Sequence, residues 1–396
     1  MIIKPKFRGF ICTTAHPEGC KANVHEQIEY VKKQGIVDGP KNVLVIGSST
    51  GYGLSSRIVS TFGSGASTIG IFFEKAPSGN RTGTAGWYNT AAFEEFAAKE
   101  GIYAKSINGD AFSNDIKKQT VELIKKDLGK VDLIVYSLAA PRRTLPDTGE
   151  TVSSVLKPVG ETYTSKTVDF HTSEVTEITI EPANEEEVKN TIAVMGGEDW
   201  ELWIDLLQKE GVLSEGFKTI AYSYIGPKVT HAIYREGAIG KPKDHLEKTA
   251  AKLTEKYKEV NGNAWVSVNK ALVTQASSAI PVVSLYSSIL FKIMKEKNLH
   301  EGCIEQMYRL FTDKLYSSSI EVDNNGLIRI DDLEMRKDVQ DAVEIIWEKI
   351  NSENIHELSD IDGYRKDFFR LFGFEYPQIN YDADVDIEVK IPSIED

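Results

Sequence analysis

Three glycines, Gly47, Gly51 and Gly53, have a spacing that suits the binding of a diphosphate. They follow the apolar run Asn42–Ile46 and precede a helical pattern, which predicts a turn from a strand into a helix. Such a turn brings main-chain N–H groups and the positive end of the helix dipole to a phosphate. A plain glycine-rich turn is the alternative. The predicted contacts are made by Gly47, Ser48, Ser49, Thr50, Gly51 and Tyr52.

A dinucleotide also needs a group that contacts its ribose, and Phe73 and Glu74 stand at the end of the next β-rich run, 68–73. A carboxylate accepts hydrogen bonds from a ribose 2′-hydroxyl and repels a 2′-phosphate, which favours NADH over NADPH. The adjacent Lys75 weakens this inference, and a solvated glutamate at a strand end is the alternative. The ends of the next two strands predict further cofactor contacts from Asp110 and Ala111 and from Leu138 and Ala139.

A reductase with such a cofactor needs a proton donor, and Tyr222, Tyr224 and Tyr234 are candidates. Lys243 follows Tyr234 after eight intervening residues. A neighbouring ammonium lowers the pKa of a tyrosine, and the same lysine could bind ribose hydroxyls. The chain has 16 tyrosines, so a tyrosine–lysine pair at one fixed spacing also arises by chance. Spacing alone therefore leaves the choice of acid open.

The elements that must position these residues alternate as strands and helices over residues 41–140, which predicts a parallel sheet covered on both faces. Residues 145–215 break the alternation, and we interpret them as an insertion with a polar hairpin and a helix capped by Asn184 and Glu187. The alternation then returns, and the chain beyond about residue 280 is mostly helical. The acidic final twenty residues are expected at the surface. The sequence thus predicts an α/β, Rossmann-type doubly wound sheet over 1–320, with a C-terminal extension over 321–396 packed on it.

Composition limits the possible partners and the compartment. A net charge of −13 makes nucleic acid an unsuitable main partner, since such binding depends on Lys and Arg neutralising phosphates. The most apolar stretches, 133–140 and 279–291, are shorter than the roughly 18 residues that a spanning helix needs, so no membrane partner is expected. Three cysteines and no signal-type N-terminus favour a reducing compartment. We expect a cytoplasmic enzyme.

Two patterns resemble metal sites but lack full ligand sets. Cys12, His16 and Cys20 could suggest zinc, but Pro17 and Gly19 interrupt the helix that would align them. The segment 321–332 resembles a calcium-binding loop but lacks the final bidentate glutamate. We therefore predict no metal.

Several strings along the whole chain resemble the trans-2-enoyl-CoA reductases, also called FabV-type enoyl reductases, which are enlarged relatives of the short-chain dehydrogenase/reductases. Tyr234 and Lys243 have the long spacing of that family. The other strings are MIIKP (1–5), RGFICTTAHPEGC (8–20), GSSTGYG (47–53), AAPR (139–142), MGGEDW (195–200), YSYIGP (222–227) and KALVT (270–274).

The resemblance implies that Tyr234 is the acid and that Lys243 binds the nicotinamide ribose and tunes Tyr234. It implies that Tyr224 contacts the acyl thioester. Contacts with the nicotinamide end of NADH are implied for Leu272, Val273 and Thr274. The implied reaction is NADH-dependent reduction of the 2,3 double bond of a trans-2-enoyl-CoA, or of an enoyl group on acyl carrier protein.

Two alternatives remain: a 3-ketoacyl thioester carbonyl reductase of the same superfamily, and a non-catalytic NADH sensor. The family's C-terminal part carries a flavin-binding label in some classifications, but this chain shows no flavin fingerprint there, so we predict no FAD. The large extension could cover the surfaces through which short-chain reductases pair, so we expect a monomer.

Overall fold

The computed structural model of the chain describes residues 1–8, 11–138 and 140–394. The described strands are β1 (Phe7–Arg8), β2 (Ile11–Cys12), β3 (Asn42–Ile46), β4 (Ser67–Phe72), β5 (Ala104–Asn108), β6 (Val131–Tyr136), β7 (Arg142–Thr144), β8 (Thr151–Ser153), β9 (Tyr163–Asp169), β10 (Glu174–Ile180), β11 (Leu213–Ser223), β12 (Asn263–Val268) and β13 (Ile328–Arg329).

The described α-helices are α1 (Pro17–Gln34), α2 (Gly51–Ile58), α3 (Ala85–Lys99), α4 (Asn114–Asp127), α5 (Glu185–Met195), α6 (Glu198–Lys209), α7 (Lys228–His231), α8 (Gly240–Lys256), α9 (Val283–Glu296), α10 (Cys303–Arg309), α11 (Lys337–Lys349), α12 (Ile355–Leu358) and α13 (Ile361–Arg370). Helices α2 and α10 continue as π-helical turns over Val59–Gly63 and Leu310–Leu315, and 3₁₀ turns span Lys258–Val260 and Ser277–Ala279.

Seven parallel strands form the central sheet, in the order β13-β12-β11-β6-β3-β4-β5. The chain runs outward from β3 through β4 to β5. It then returns to the other side of β3 and continues outward from β6. This reversal leaves a crevice beyond the carboxyl ends of β3 and β6, where doubly wound sheets bind ligands. The predicted Rossmann-type fold is confirmed.

Alternate side chains of each strand enter two different cores, because successive strand residues point to opposite faces. In β3, Leu44 and Ile46 pack with the side chains of α4, α6 and α8, whereas Val43 and Val45 pack with those of α1, α2 and α10. Both faces of the sheet are therefore covered by helices, as a parallel sheet requires.

The predicted hairpin and capped helix are both present within residues 145–215. Strands β9 and β10 pair antiparallel, and Asn184 and Glu187 form a reciprocal capping box at the start of α5. The next helix, α6, buries Trp200 and Trp203 completely in the same core as the sheet. The end of this region therefore serves as a covering helix of the sheet.

The C-terminal segment packs more deeply than its acidic composition suggested. Ile387 and Ile391 are buried, and the main-chain oxygens of Ile387 and Val389 accept hydrogen bonds from the side chains of Tyr88 and Trp87 in α3. The expectation that the final twenty residues lie at the surface is therefore wrong for their apolar positions. The sequence alternates acidic and apolar residues here, and the structure buries part of the apolar set.

The end of this segment covers an edge of the sheet. The Ser393 hydroxyl accepts a hydrogen bond from the backbone N–H of Ser106 in edge strand β5 at 2.9 Å, and it donates to the carboxylate of Glu94 at 2.7 Å. An uncovered edge strand is a template for pairing with other chains, so this contact protects the sheet. Among the described residues, no helix is both long enough and apolar enough to cross a bilayer.

Candidate active site

A cleft of about 810 Å³ lies beyond the carboxyl ends of β3, β4, β5 and β6. Most of the predicted cofactor residues line it. Ser48 does not, because it is fully buried and its hydroxyl donates to the carbonyl oxygen of Ile71. Ala139 lies outside the described residues. The predicted residues in the cleft lining are Gly47, Ser49, Thr50, Gly51, Tyr52, Phe73, Glu74, Asp110, Ala111, Leu138 and Thr274.

The glycine-rich turn has the geometry that a phosphate cradle needs. Gly47 and Gly51 have φ values of 88° and 54°, in the region that favours glycine. A side chain on Gly53 would overlap the carbonyl oxygen of Gly47, so glycine allows α2 to pack closely on the turn. The side chain of Thr50 does not cap α2. The first N–H groups of α2 therefore remain available to an anionic ligand.

Glu74 is held in a fixed orientation at the end of β4. Its Oε1 accepts a hydrogen bond from the Ser49 hydroxyl at 2.7 Å, and a Cβ atom on Gly86 would overlap the same carboxylate. Burial raises the pKa of Glu74, while hydrogen bonds from Thr84 and Ser49 oppose that shift. The carboxylate is thus anchored to the phosphate turn itself. Sequence reasoning found Glu74 but missed Gly86, because nothing local marks a glycine that faces a residue twelve positions away.

Two further predicted residues mark the outer end of the cleft. Phe73 is 77% exposed and lines the cleft, and an exposed aromatic ring at this position suits the face of a planar base. Asp110 lines the same end, and its Oδ1 accepts a hydrogen bond from the backbone of Phe112 at 3.0 Å. Arg142, which sequence reasoning left unassigned, also lines the cleft.

A second cavity of about 540 Å³ adjoins the cleft on the other side of the glycine-rich turn. Leu272 and Val273 line this cavity, and Thr274 lines both spaces. The Ser277 hydroxyl donates to the carbonyl oxygen of Leu272 at 2.7 Å and accepts from the backbone of Thr274 at 2.9 Å. The predicted loop 272–274 is therefore a compact turn beside the phosphate cradle, although only Thr274 faces the cleft.

The predicted catalytic pair comes from the α7–α8 region of the chain. Tyr234 is in the turn between α7 and α8, and Lys243 is in the first turn of α8. Both are partly buried, and neither belongs to the cleft lining among the described residues. The Tyr234 ring packs against Ile239, Ile280 and Val283. Within the described parts of the chain, neither the Tyr234 hydroxyl nor the Lys243 ammonium forms a hydrogen bond or an ion pair, so both are free to meet a ligand.

The electrostatics of this pair differ from the sequence expectation. Burial raises the pKa of Tyr234, and Lys243 does not offset that shift, so the predicted lowering of the tyrosine pKa is wrong for this structure. Burial lowers the pKa of Lys243 to about 8, with Glu247 opposing the shift and Arg235 adding to it. The raised pKa keeps Tyr234 protonated, so it can act as an O–H donor.

The other two candidate tyrosines have different surroundings. Tyr222 shares a 2.6 Å hydrogen bond with Ser56 of α2 and points away from Lys243's helix. Tyr224 packs edge-on against Tyr234, with ring centroids 4.8 Å apart, and its hydroxyl donates to Glu334 at 2.9 Å. Sequence reasoning missed Glu334, because an isolated glutamate in an acidic segment carries no local signal. The structure therefore brings Tyr224 and Tyr234 together and separates Tyr222 from them.

The candidate metal ligands have other partners. His16 Nδ1 accepts the backbone N–H of Gly19 and caps α1, while Asp323 accepts backbone N–H groups of its own turn. In the described ranges, no group of three or more His, Cys, Asp or Glu side chains is placed to hold a metal ion.

Three family models match successive parts of the chain. Residues 81–316 match the "Trans-2-enoyl-CoA reductase catalytic region". Residues 2–79 match the "NAD(P)H binding domain of trans-2-enoyl-CoA reductase", and residues 322–385 match the "Enoyl reductase FAD binding domain". The first model alone covers more than half of the chain.

Curated proteins and solved structures give the same picture. The chain is 62% identical to a trans-2-enoyl-CoA reductase [NADH] of Ruminiclostridium cellulolyticum and 61% identical to an enoyl-[acyl-carrier-protein] reductase [NADH] of Flavobacterium johnsoniae, with 100% of each chain covered. The crystal structure of Treponema denticola trans-2-enoyl-CoA reductase in complex with NAD is similar over 100% of both chains, with 54% identity and a TM-score of 0.95. That of the Clostridium acetobutulicum enzyme in complex with NADH has 48% identity, a TM-score of 0.96 and 98% coverage of both chains.

The residues of segment 322–385 do not fit a flavin adenine dinucleotide, despite the description of the matching family model. In Rossmann-type sites a glycine-rich turn between a strand and a helix binds the diphosphate of a dinucleotide. Strand β13 leads instead into the acidic pair Asp331 and Asp332, and helices α11, α12 and α13 bury their apolar side chains against α9. The reduction proposed for this chain therefore uses NADH and no flavin.

Proposed function

Because the chain belongs to the trans-2-enoyl-CoA reductase family, we propose that it reduces the 2,3 double bond of a trans-2-enoyl-CoA with NADH. The observation that carries the proposal is the cleft at the switch point of the sheet, with its glycine-rich turn and the anchored carboxylate of Glu74. The names of the curated relatives support both the reaction and the cofactor.

Different residues bind different parts of NADH. The N–H groups at the start of α2 bind the diphosphate, and Glu74 accepts hydrogen bonds from the adenosine ribose and disfavours a 2′-phosphate. Lys243 binds the nicotinamide ribose, and Leu272, Val273 and Thr274 hold the nicotinamide end. Bound NADH supplies the hydride that reduces C3 of the enoyl thioester.

Tyr234 acts on the acyl group. As C3 is reduced, negative charge moves to the thioester oxygen, and a donor aimed at that oxygen stabilises the transition state. The Tyr234 hydroxyl, protonated and without another partner among the described residues, is that donor. Tyr224 packs against it and contacts the acyl thioester. A proton then reaches C2 and completes the saturated acyl-CoA.

Steady-state oxidation of NADH by enoyl-CoA substrates of graded chain length tests the proposal. We expect turnover of crotonyl-CoA and little turnover of acetoacetyl-CoA. The reverse preference would identify a 3-ketoacyl thioester reductase, and NADH binding without turnover of either substrate would identify a sensor. The curated relatives carry both CoA and acyl-carrier-protein names, so crotonyl groups on both carriers need comparison.

We further propose that the enzyme works as a monomer in the cytoplasm. The contact of Ser393 with edge strand β5 supports the first part, because it occupies a surface through which two sheets could pair. Three free thiols, on Cys12, Cys20 and Cys303, support a reducing compartment. Light scattering measures the mass of the purified protein in solution. We expect the mass of one chain, and a mass of two chains would contradict the monomer.

A further inference from the structure

The carboxylate of Glu334, which precedes α11, is fully buried and accepts three hydrogen bonds. Tyr224 Oη and Tyr286 Oη donate to Oε1 at 2.9 and 2.6 Å, and the backbone N–H of Ala271 donates to Oε2 at 2.7 Å. The donors come from segments 110, 48 and 63 residues away along the chain. One side chain of the C-terminal extension thus joins three parts of the molecule.

Stability alone is a weak reason for this arrangement. Burying a carboxylate costs several kcal/mol, and well-packed apolar residues are often as stable as a buried charge. Glu334 forms no direct ion pair with any described cation. The charge of Lys270 acts on it, but the ammonium of Lys270 donates to the carbonyl oxygen of Ala271 and lies 4.5 Å from the centre of the Phe291 ring.

Two of the three donors belong to the active site described above. Tyr224 packs its ring edge against Tyr234, the proposed acid. Ala271 begins the loop whose next residues, Leu272 to Thr274, lie beside the phosphate cradle. The two oxygens of Glu334 therefore fix both the tyrosine that flanks the acid and the loop that holds the nicotinamide end of the cofactor.

We propose that Glu334 is a positioning residue for the reduction, which sets the Tyr224 ring and the loop from Ala271 relative to Tyr234. The inference rests on the proposed function. It gives the C-terminal extension a part in the active site that needs no second cofactor. Because the single proton of Tyr224 is directed to Glu334, the Tyr224 oxygen offers lone pairs to its surroundings. Tyr234 is then the tyrosine whose hydroxyl donates a hydrogen bond to the thioester oxygen.

A double-mutant cycle tests the proposal, because residues that act through one another give non-additive effects. The variants are Glu334→Gln, Tyr224→Phe and the combination, measured with crotonyl-CoA and NADH. Misplacing a reacting group by about 1 Å costs up to about 10²-fold in rate, so we expect Glu334→Gln to lower kcat by about 10-fold to 100-fold. The double variant should be little slower than the slower single variant.

Asp331→Asn is the matched control. Asp331 is a buried carboxylate three positions before Glu334, but it pairs with Arg329 at 2.6 Å and contacts neither Tyr224 nor Ala271. It should lower the unfolding temperature and leave kcat unchanged. The dissociation constant of NADH, measured by fluorescence, provides a second readout. It should rise several-fold in Glu334→Gln, which loosens the loop from Ala271, and stay unchanged in Tyr224→Phe and in Asp331→Asn.

Three results would overturn the inference: multiplicative effects on kcat in the cycle, an unchanged kcat in folded Glu334→Gln, or an equal loss of kcat in Asp331→Asn. If Glu334→Gln does not fold, Glu334→Asp replaces it, since it keeps the charge and withdraws the oxygens by one methylene. If the wild type binds NADH but reduces no enoyl thioester, the proposed function fails, and the NADH affinities alone decide the role of Glu334. A wild type that binds no NADH would overturn both.

Discussion

Tyr234 is the proposed donor to the thioester oxygen, and burial keeps its proton in place by raising its pKa. Tyr234→Phe removes the hydroxyl and retains the ring. The loss of one such donor costs a factor of about 10² to 10³ in kcat, with a smaller change in KM. Steady-state kinetics with crotonyl-CoA measure the effect.

Tyr222→Phe is the control for this variant. The Tyr222 hydroxyl bonds to Ser56 of α2 at 2.6 Å, whereas Tyr224 is the candidate tyrosine that packs against the acid, so loss of the Tyr222 hydroxyl should leave kcat near the wild-type value. A folded Tyr234→Phe enzyme that keeps its kcat, beside an inactive Tyr222→Phe enzyme, would show that the acid has been wrongly assigned.

Lys243 should make the binding of NADH depend on pH. Burial lowers the pKa of Lys243 to about 8, so its side chain is mostly a charged ammonium below that pH and mostly a neutral amine above it. We expect the affinity for NADH to fall as the pH rises through about 8, because the neutral amine is a weaker donor to the ribose hydroxyls. Lys243→Arg retains its charge and should lack this fall. An NADH affinity that stays constant in the wild type between about pH 7 and about pH 9 would contradict the assignment.

Glu74 should set the choice between NADH and NADPH. Glu74→Ala removes the charge that repels a 2′-phosphate, so the ratio of kcat/KM for NADPH to that for NADH should rise. Gly86→Ala should shift the ratio in the same direction while residue 74 remains glutamate, because the new methyl group would displace the Glu74 carboxylate. Lys75→Ala, at the exposed neighbouring position, is the comparison variant. Equal use of both cofactors by the wild type would exclude Glu74 as the ribose contact.

At the scale of the element, the approach of α2 to β3 decides whether the phosphate cradle forms. Gly53→Ala places a methyl group against the carbonyl oxygen of Gly47, so the helix must move away from the turn. Overpacking of this kind costs about 1–3 kcal/mol, and we expect a clear loss of NADH affinity as well. Titration of NADH and thermal unfolding measure the two effects.

Gly65→Ala is the control for Gly53→Ala, because it replaces a glycine without creating a steric clash. Gly65 has a φ of 68° and no atom near its missing side chain, so alanine costs only the backbone conformation, roughly 1–2 kcal/mol. Its NADH affinity should equal that of the wild type. If the two variants lose the same affinity, close packing at Gly53 is not what forms the cradle.

The elements that could be predicted are those whose signal is local. The unit from β3 through Gly47 to α2 has an apolar run, a glycine spacing and a helical pattern within 17 residues, and each part supports the others. Strand β13 has only two residues, Ile328 and Arg329, which is too short for any period to appear. Its place at the sheet edge depends on pairing with β12.

In the candidate site, too, only the residues with a local signal could be predicted from the sequence. The residues at the strand ends follow from position, because parallel strands end at one edge of the sheet. The contacts that orient them join distant segments: Tyr224 and Glu334 are 110 residues apart, and no pattern in either segment indicates the other. The catalytic and cofactor-binding roles of Tyr234 and Lys243 and the division of the chain near residue 320 remain predictions.

At the scale of the whole molecule, the C-terminal segment should contribute strongly to stability. Ile391 is 1% exposed, and Ile391→Ala should lower the free energy of unfolding by about 2–5 kcal/mol, through lost burial and the cavity left behind. Glu388→Ala, at an exposed position of the same segment, should change it by less than about 0.5 kcal/mol. Equal unfolding midpoints in denaturant would show that the segment is only loosely attached.

The cover that Ser393 provides for β5 has a consequence for synthesis on the ribosome. Ser106 and Ser393 are 287 residues apart, so the strand is translated long before its cover exists. Throughout that interval the nascent polypeptide presents an open strand edge, and such edges recruit other unfinished chains. We therefore expect rapid synthesis of this protein to depend on chaperones that hold the growing chain until the segment with Ser393 has been translated.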